Sequence, residues 1–103
     1  MREYQVIITK DAVKDIDDIY IYVARKICMP MTASKLCKRI TDAILGLKYM
    51  PYRYSILEDA KSNLPYRKII LDNYVIIFLV EENRVIVTNI FYGASNFIEK
   101  LKG

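Results

Sequence analysis

Apolar positions along this chain follow a helical period in the first half and a strand period in the second. Residues 3–8 predict an opening strand, and Thr9 can then cap a helix that has Asp11 in its first turn. Apolar residues recur there at spacings of three and four, and they predict a core-facing stripe of Val13, Ile16, Tyr20, Val23, Ala24 and Ile27. Ile19 and Tyr22 make the apolar side wider than one core contact needs.

A second amphipathic helix follows Pro30, which ends the first helix and can begin the next. Its predicted apolar side consists of Ala33, Leu36, Cys37, Ile40, Ala43, Ile44, Leu47 and Met50. Lysines and an arginine lie around the rest of its surface, where solvation explains them more often than phosphate contact does. Two such helices joined at Met29–Pro30 predict an antiparallel hairpin.

The second half of the chain predicts three strands, at residues 66–71, 74–80 and 84–92. The strand at 74–80 is apolar on both sides, which favours a central place in the sheet. Gly93 ends the sheet, and Ser95 can cap a short final helix through Leu101. The order β-α-α-β-β-β predicts a single α+β domain over residues 1–103. The helical hairpin should pack on one face of a small, mainly antiparallel sheet and leave the other face partly uncovered.

The composition fits a folded globular protein, because 53% of the 103 residues are hydrophobic and 27% are charged. The net charge of +4 is compatible with a polyanionic partner but does not require one. The N-terminus lacks a basic region followed by an apolar one, and the longest apolar run, residues 74–80, is too short to span a bilayer. We therefore expect a cytoplasmic protein without a membrane partner.

Histidine is absent from the sequence, which excludes a histidine-based triad, a histidine general base and most catalytic zinc sites. The spacing of the two cysteines, Cys28 and Cys37, matches neither a zinc knuckle nor a redox pair. Cys37 lies in the apolar helical stripe and fits a buried structural thiol. We expect no metal or cofactor, so acid–base chemistry would fall to carboxylate, lysine, arginine or tyrosine side chains.

An ordered series of short segments, spread over nearly the whole chain, carries a resemblance to a known family. The segments are residues 4–9, 15–22, 43–47, 51–54, 66–69, 73–78 and 90–93, together with Pro30, Ala33 and Leu36. In this order they resemble the RelE/ParE superfamily of type II toxin–antitoxin toxins, which are associated with plasmid stabilisation. The resemblance implies the fold predicted above and an antitoxin segment that wraps the toxin.

The resemblance implies one of two activities. RelE-like members cleave messenger RNA on the ribosome, whereas ParE-like members inhibit growth by binding DNA gyrase. The RelE-like reaction needs cationic groups that stabilise phosphate charge. Three positions where that branch has arginines hold other residues here: Val75, Asn89 and the Ala94-Ser95-Asn96 segment after Gly93. Because an uncharged side chain cannot offset phosphate charge, these departures argue against cleavage by the usual residues.

The candidate site residues follow from the same resemblance. Arg67 and Tyr92 are the catalytic candidates if the chain is RelE-like, and Lys68, Asn89, Ser95 and Asn96 are candidates for target or antitoxin binding. Each has a structural alternative. Arg67 can pair with a carboxylate or a helix end, Tyr92 can lie at the core edge, and Asn89 either faces the open side or needs a buried partner.

The main hypothesis is therefore a ParE-like or diverged toxin that binds its target and forms a hetero-oligomer with its antitoxin. A ribosome-dependent ribonuclease is the first alternative. The second is a non-toxic remnant that only binds an antitoxin peptide. The open sheet face, the extra apolar residues of the first helix and the positive charge suit an acidic, amphipathic antitoxin segment that folds on binding.

Overall fold

The structure, a computed structural model, describes residues 3–57 and 64–93. Its regular elements are β1 (Gln5–Ile8), α1 (Lys10–Ile21), a π-helical turn (Tyr22–Lys26), α2 (Pro30–Leu45), 3-10 turns at Gly46–Lys48 and Pro51–Arg53, β2 (Arg67–Leu71), β3 (Tyr74–Glu81) and β4 (Arg84–Tyr92). This is the predicted order. The expected final helix, from Ser95 onward, lies outside the described residues.

The four strands form one mixed sheet in the order β1-β4-β3-β2. β1 runs parallel to β4, whereas the other two pairs are antiparallel. The sheet is thus mainly antiparallel, as predicted, and β3 is an interior strand. Tight turns join the last three strands, and Asp72 and Glu82 adopt left-handed backbone angles in them (φ 53° and 52°). Such angles match hairpin turns to the twist of the strands.

β4 carries one extra residue opposite β3. Ile77 pairs with Asn89 and Phe78 pairs with Val87, so Thr88 is the residue left over. Both polar groups of this bulge find partners. The Thr88 hydroxyl lies 3.4 Å from the Ile77 carbonyl, and the Thr88 carbonyl accepts a 3.0 Å hydrogen bond from the Thr9 hydroxyl. The bulge is therefore tied to the start of α1.

The main core lies between the helices and one face of the sheet. Its buried members are Ala12, Ile40, Ile44, Leu47, Ile69, Ile76, Phe78, Val85, Val87 and Ile90. A smaller cluster of Leu57, Val75 and Ile77 lies apart from it, with Tyr66 and Phe91 packed against it. β3 is apolar on both sides because its alternate residues enter these two clusters.

The core-facing stripe of α1 differs from the prediction. Val13, Tyr20 and Ile27 are exposed, while Ala12 is fully buried. Ile16 packs on the core and Val23 is buried, both as predicted, and Ile19 packs on the core as well. Thr9 explains the rotation: its hydroxyl oxygen accepts from the Ala12 amide at 3.1 Å and donates to the Thr88 carbonyl, so the first turn is fixed with Ala12 toward β4.

The stripe of α2 is largely as predicted, with Ala33, Ile40 and Ile44 buried. Leu47, in the following 3-10 turn, is buried too, whereas Met50 is exposed. Within residues 3–57 and 64–93, no helix has the length and apolar character that a membrane crossing requires.

Candidate functional site

The sequence-predicted site residues lie on two strands of the sheet. Arg67 and Lys68 begin β2, and Asn89 and Tyr92 are in the second half of β4. Ser95 and Asn96 lie outside the described residues. Among the four that are described, the structure brings Lys68 and Tyr92 into one surface hollow of about 370 Å³ but places Arg67 and Asn89 elsewhere.

Arg67 has a structural set of partners. Its guanidinium donates a 2.6 Å hydrogen bond to the Tyr54 carbonyl and lies 3.5 Å from the Tyr52 carbonyl. The same group lies 4.9 Å from the centre of the Tyr52 ring. A charged donor on a main-chain carbonyl is a strong interaction, so Arg67 holds the end of the Pro51–Arg53 turn against β2.

Asn89 meets a carboxylate of α1. Its side chain hydrogen-bonds Asp15, whose carboxylate also accepts a 2.9 Å hydrogen bond from the Ile90 amide. Burial raises the pKa of Asp15, and these two hydrogen bonds partly counter that effect. Of the two alternatives predicted for Asn89, the structure shows the second, a hydrogen-bond partner for its side chain. The contact ties α1 to the part of β4 beyond Val87, where β1 no longer pairs with β4.

Tyr92 forms an edge-to-face pair with Tyr74, with ring centres 5.7 Å apart. The pair borders a second, larger hollow of about 590 Å³, lined by Asp18, Ile19, Tyr22, Ile27, Tyr74 and Tyr92. Burial raises the pKa of the Tyr74 phenol, and the neighbouring Tyr92, Tyr22 and Cys37 raise it further. Tyr74 is therefore a poor base at neutral pH and suits packing or hydrogen bonding.

The π-helical turn builds one wall of this larger hollow. The Ile27 amide donates to the Tyr22 carbonyl at 3.1 Å, five residues back. That spacing places Tyr22 and Ile27 in line along the same side, where an α-helix would turn them apart. Both line the hollow. One signal for this hollow is present in the sequence: the unusually wide apolar side at Ile19 and Tyr22.

A family comparison now identifies the fold. A sequence profile described as "ParE toxin of type II toxin-antitoxin system, parDE" matches residues 6–97. The chain belongs to the ParE toxin family. Among solved structures, it is similar to a chain of the chromosomal ParDE toxin–antitoxin system from P. aeruginosa, with a TM-score of 0.72 and 19% identity. The similarity covers 87% of this chain and 96% of the other. No significant match is found among curated protein sequences.

This ParE-family chain exposes several large apolar side chains around the place where its two helices meet. Between residues 20 and 31, six of them have two fifths or more of their surface in solvent: Tyr20, Ile21, Tyr22, Ile27, Met29 and Met31. We call these six the junction surface. Scattered exposed apolar residues are ordinary, but a contiguous set marks an interaction site. The sequence pattern predicted core positions for Tyr20 and Ile27, and of the six residues it marked only Tyr22 as extra apolar surface.

The thiols of this ParE-family chain differ in environment. Cys28 is exposed, while Cys37 is only partly buried and lies near the Ile16 carbonyl. Burial raises the pKa of the Cys37 thiol, and the negative charge of Asp17 raises it further. Within the described residues, no three histidine, cysteine or acidic side chains are grouped as a metal site would require.

Proposed function

We propose that this chain forms one toxin domain over residues 1–103, which inhibits growth in the cytoplasm by binding DNA gyrase. A cognate antitoxin holds it inactive in a hetero-oligomer. The observation that carries the proposal is the shortage of cations around Tyr92. In the described part of the two hollows that Tyr92 lines, Lys68 is the single cationic side chain.

This shortage favours binding over RNA cleavage. A ribonuclease must offset the charge that develops on the scissile phosphate, and preorganised cations do this most effectively. Arg67 is engaged with main-chain carbonyls and a tyrosine ring. Asn89 is engaged with Asp15, and Val75 is buried in the smaller apolar cluster. One lysine and one phenol are a weak basis for catalysis of phosphate transfer.

The junction surface supports an obligate protein partner. Met31 is 75% exposed and Tyr22 53%, which is costly for a free chain because apolar area in water destabilises it. A partner segment that covers these side chains would remove that cost. The adjoining hollow at Tyr22 and Ile27 offers the concave anchor point that such a segment needs.

The charge around the junction favours an acidic segment. A further hollow of about 660 Å³ borders the α2 side and is lined in part by Lys35, Arg39 and Tyr74. Tyr74 also lines the hollow of about 590 Å³, so the two depressions lie on either side of one residue. An amphipathic helix with acidic residues beside its apolar face would match both the shape and the charge.

Inducible expression in a bacterial host tests the target. DNA supercoiling and transcript ends are measured in the same cells at the onset of growth arrest. Gyrase binding predicts relaxed or broken DNA with intact messages. Codon-phased cuts in messages would instead support a ribonuclease that uses Lys68 and Tyr92, and a Lys68→Gln, Tyr92→Phe variant should then lose the cuts. Unimpaired growth with a folded chain would contradict toxicity altogether.

Introducing a negative charge on the junction surface tests the antitoxin site. Met31→Glu and Tyr22→Glu should each weaken antitoxin binding at least about tenfold, because a buried, unpaired carboxylate opposes an apolar and acidic partner. Leu45→Glu is the matched control, since Leu45 is 52% exposed at the last position of α2, the end of that helix opposite Met31. Equal affinity for all variants by calorimetry would exclude this surface. Tight antitoxin binding by a chain that never arrests growth would identify the non-toxic remnant.

A further inference from the structure

A second exposed surface lies at the turns that follow α2, and it is chemically unlike the junction surface. Residues 46–54 hold three tyrosines and two cations. Tyr49 is 41% exposed, Tyr52 is 55% exposed, and Lys48 and Arg53 are exposed beside them. We call Lys48, Tyr49, Tyr52 and Arg53 the tyrosine–cation end. This end adjoins Arg67 at the start of β2. The Tyr74–Tyr92 pair lies at the other end of β2, where Leu71 pairs with Tyr74.

The rings of Tyr52 and of its neighbour Tyr54 are held by surrounding side chains. Arg67 lies over one face of Tyr52, and the edge of that ring meets Tyr4 with centres 6.2 Å apart. Arg53 lies 4.9 Å from the centre of the Tyr54 ring and donates a 2.7 Å hydrogen bond to its hydroxyl. Rings fixed in this way lose little entropy when a flat ligand stacks on them.

The backbone beneath the rings is anchored on both sides. The Tyr4 amide donates to the Lys48 carbonyl at 2.9 Å, and Glu3 forms an isolated β-bridge with Tyr49. On the other side, Arg67 holds the Tyr54 carbonyl. The tyrosine–cation end is therefore a firm platform between β1 and β2 and not a free loop.

Among residues 3–57 and 64–93, the cations of this end have no carboxylate partner. The four ion pairs of the described residues are Lys14–Asp18, Lys38–Asp42, Arg39–Asp72 and Glu81–Arg84, all elsewhere. Lys48 instead lies 5.1 Å from the centre of the Tyr49 ring, and Arg53 is bound to Tyr54. Positive charge whose neighbours are aromatic rings and a phenol hydroxyl, with no carboxylate among the described residues, remains available to an anion.

We propose that the tyrosine–cation end binds single-stranded nucleic acid. Lys48 and Arg53 contact the phosphates, and the exposed parts of the Tyr49 and Tyr52 rings stack on bases. Two exposed aromatic rings flanked by cations match a polymer that carries both phosphates and flat bases. An acidic peptide would satisfy the cations but leave the rings without a stacking partner. The proposal requires no strand cleavage and is independent of gyrase binding.

Fluorescence anisotropy of the full chain tests it, with labelled oligo(U) and oligo(dT) of about ten nucleotides as probes. A Tyr49→Leu variant keeps an apolar side chain but removes the ring, and it should weaken binding about tenfold. A Lys48→Gln, Arg53→Gln variant should weaken binding and lower the salt dependence by about 0.7 in log–log slope per lost phosphate contact. Thermal unfolding of each variant establishes that it is folded at the assay temperature.

The matched control is Lys10→Gln, Lys26→Gln, which removes the same charge from exposed helical positions that take part in none of these ion pairs. The proposal expects this control to bind like the wild type. An equal loss in the control would mean attraction by net charge alone and would overturn the proposal. So would absence of binding to both probes. Polyglutamate that competes as well as the oligonucleotides, with Tyr49→Leu unaffected, would reveal an acidic-polymer site and also overturn it.

Discussion

The two faces of the sheet differ in how completely they are covered. On the helix-covered face, Ile76 and Phe78 are fully buried. On the opposite face, Leu57 is buried with Val75 and Ile77, whereas Ile70 is 69% exposed. The comparison teaches that apolar character alone does not place a residue in the core. What decides is whether another element lies over that part of the sheet.

The sharpest test of this contrast truncates one apolar side chain on each face. Phe78→Ala should lower the free energy of unfolding by about 3–5 kcal/mol, because it removes a fully buried ring and leaves a cavity. Ile70→Ala should change it by no more than about 0.5 kcal/mol, since most of that side chain is already in water. Urea unfolding measures both. Similar losses in the two variants would mean that a partner or a second copy covers Ile70.

Arg67 and Lys68 extend the contrast to charged neighbours on one strand. Arg67→Ala should cost about 1–3 kcal/mol of unfolding free energy, because it leaves the Tyr54 carbonyl without its charged donor. Lys68→Ala should cost about 0.5 kcal/mol or less, since no ion pair or side-chain hydrogen bond of Lys68 is found among the described residues. The same urea titrations apply. An Arg67→Ala variant as stable as the wild type would return Arg67 to the catalytic candidates.

The sequence predicted the strands and turns well, and the face of α1 poorly. Period-two apolar runs separated by short polar turns have few alternatives, so β2, β3 and β4 were found within a residue or two. α1 is apolar on two sides, and its pattern does not say which side meets the sheet. The Thr9 contact with Thr88, between residues 79 positions apart, makes that choice. Such a contact leaves no periodic signal.

The sequence predicted candidate site residues but not the contacts that they make. Arg67, Asn89 and Tyr92 all have specific partners, but the partners come from distant parts of the chain. The exposure of the junction surface could not be predicted from the sequence, for a related reason. Its exposure depends on the π-helical turn, whose five-residue spacing a helical pattern cannot predict.

Asp15 offers a pH test of the contact between α1 and the sheet edge. Because burial raises its folded-state pKa above the ordinary value of 3.8, the folded protein holds this proton more tightly than the unfolded chain. Its contribution is thus fully present below pH 3.8 and declines as pH rises through the raised pKa. Asp15→Asn should lack this decline, so it should gain in melting temperature relative to the wild type as pH rises.

Asp17→Asn, at an exposed position of the same helix, controls for the loss of one negative charge. Melting temperatures are measured between about pH 3 and pH 7, which spans the ordinary aspartate range. If Asp15→Asn and the wild type keep a constant difference over that range, the carboxylate is not desolvated and the α1 contact is looser than the structure indicates.

The smallest expected effect concerns the two thiols, since Cys28 is exposed and Cys37 is partly buried. The thiolate is the reactive form, and burial raises the pKa of Cys37, so iodoacetamide should modify it several-fold more slowly than the exposed Cys28 at neutral pH. Cys28→Ser and Cys37→Ser each leave one thiol, and mass spectrometry follows the rate. Because Cys37 lies between α1 and α2, near the Ile16 carbonyl, its protection reports how tightly the helices pack. Equal rates would mean that α1 and α2 separate on the labelling timescale. The covered position of Cys37 would then not protect it from the reagent.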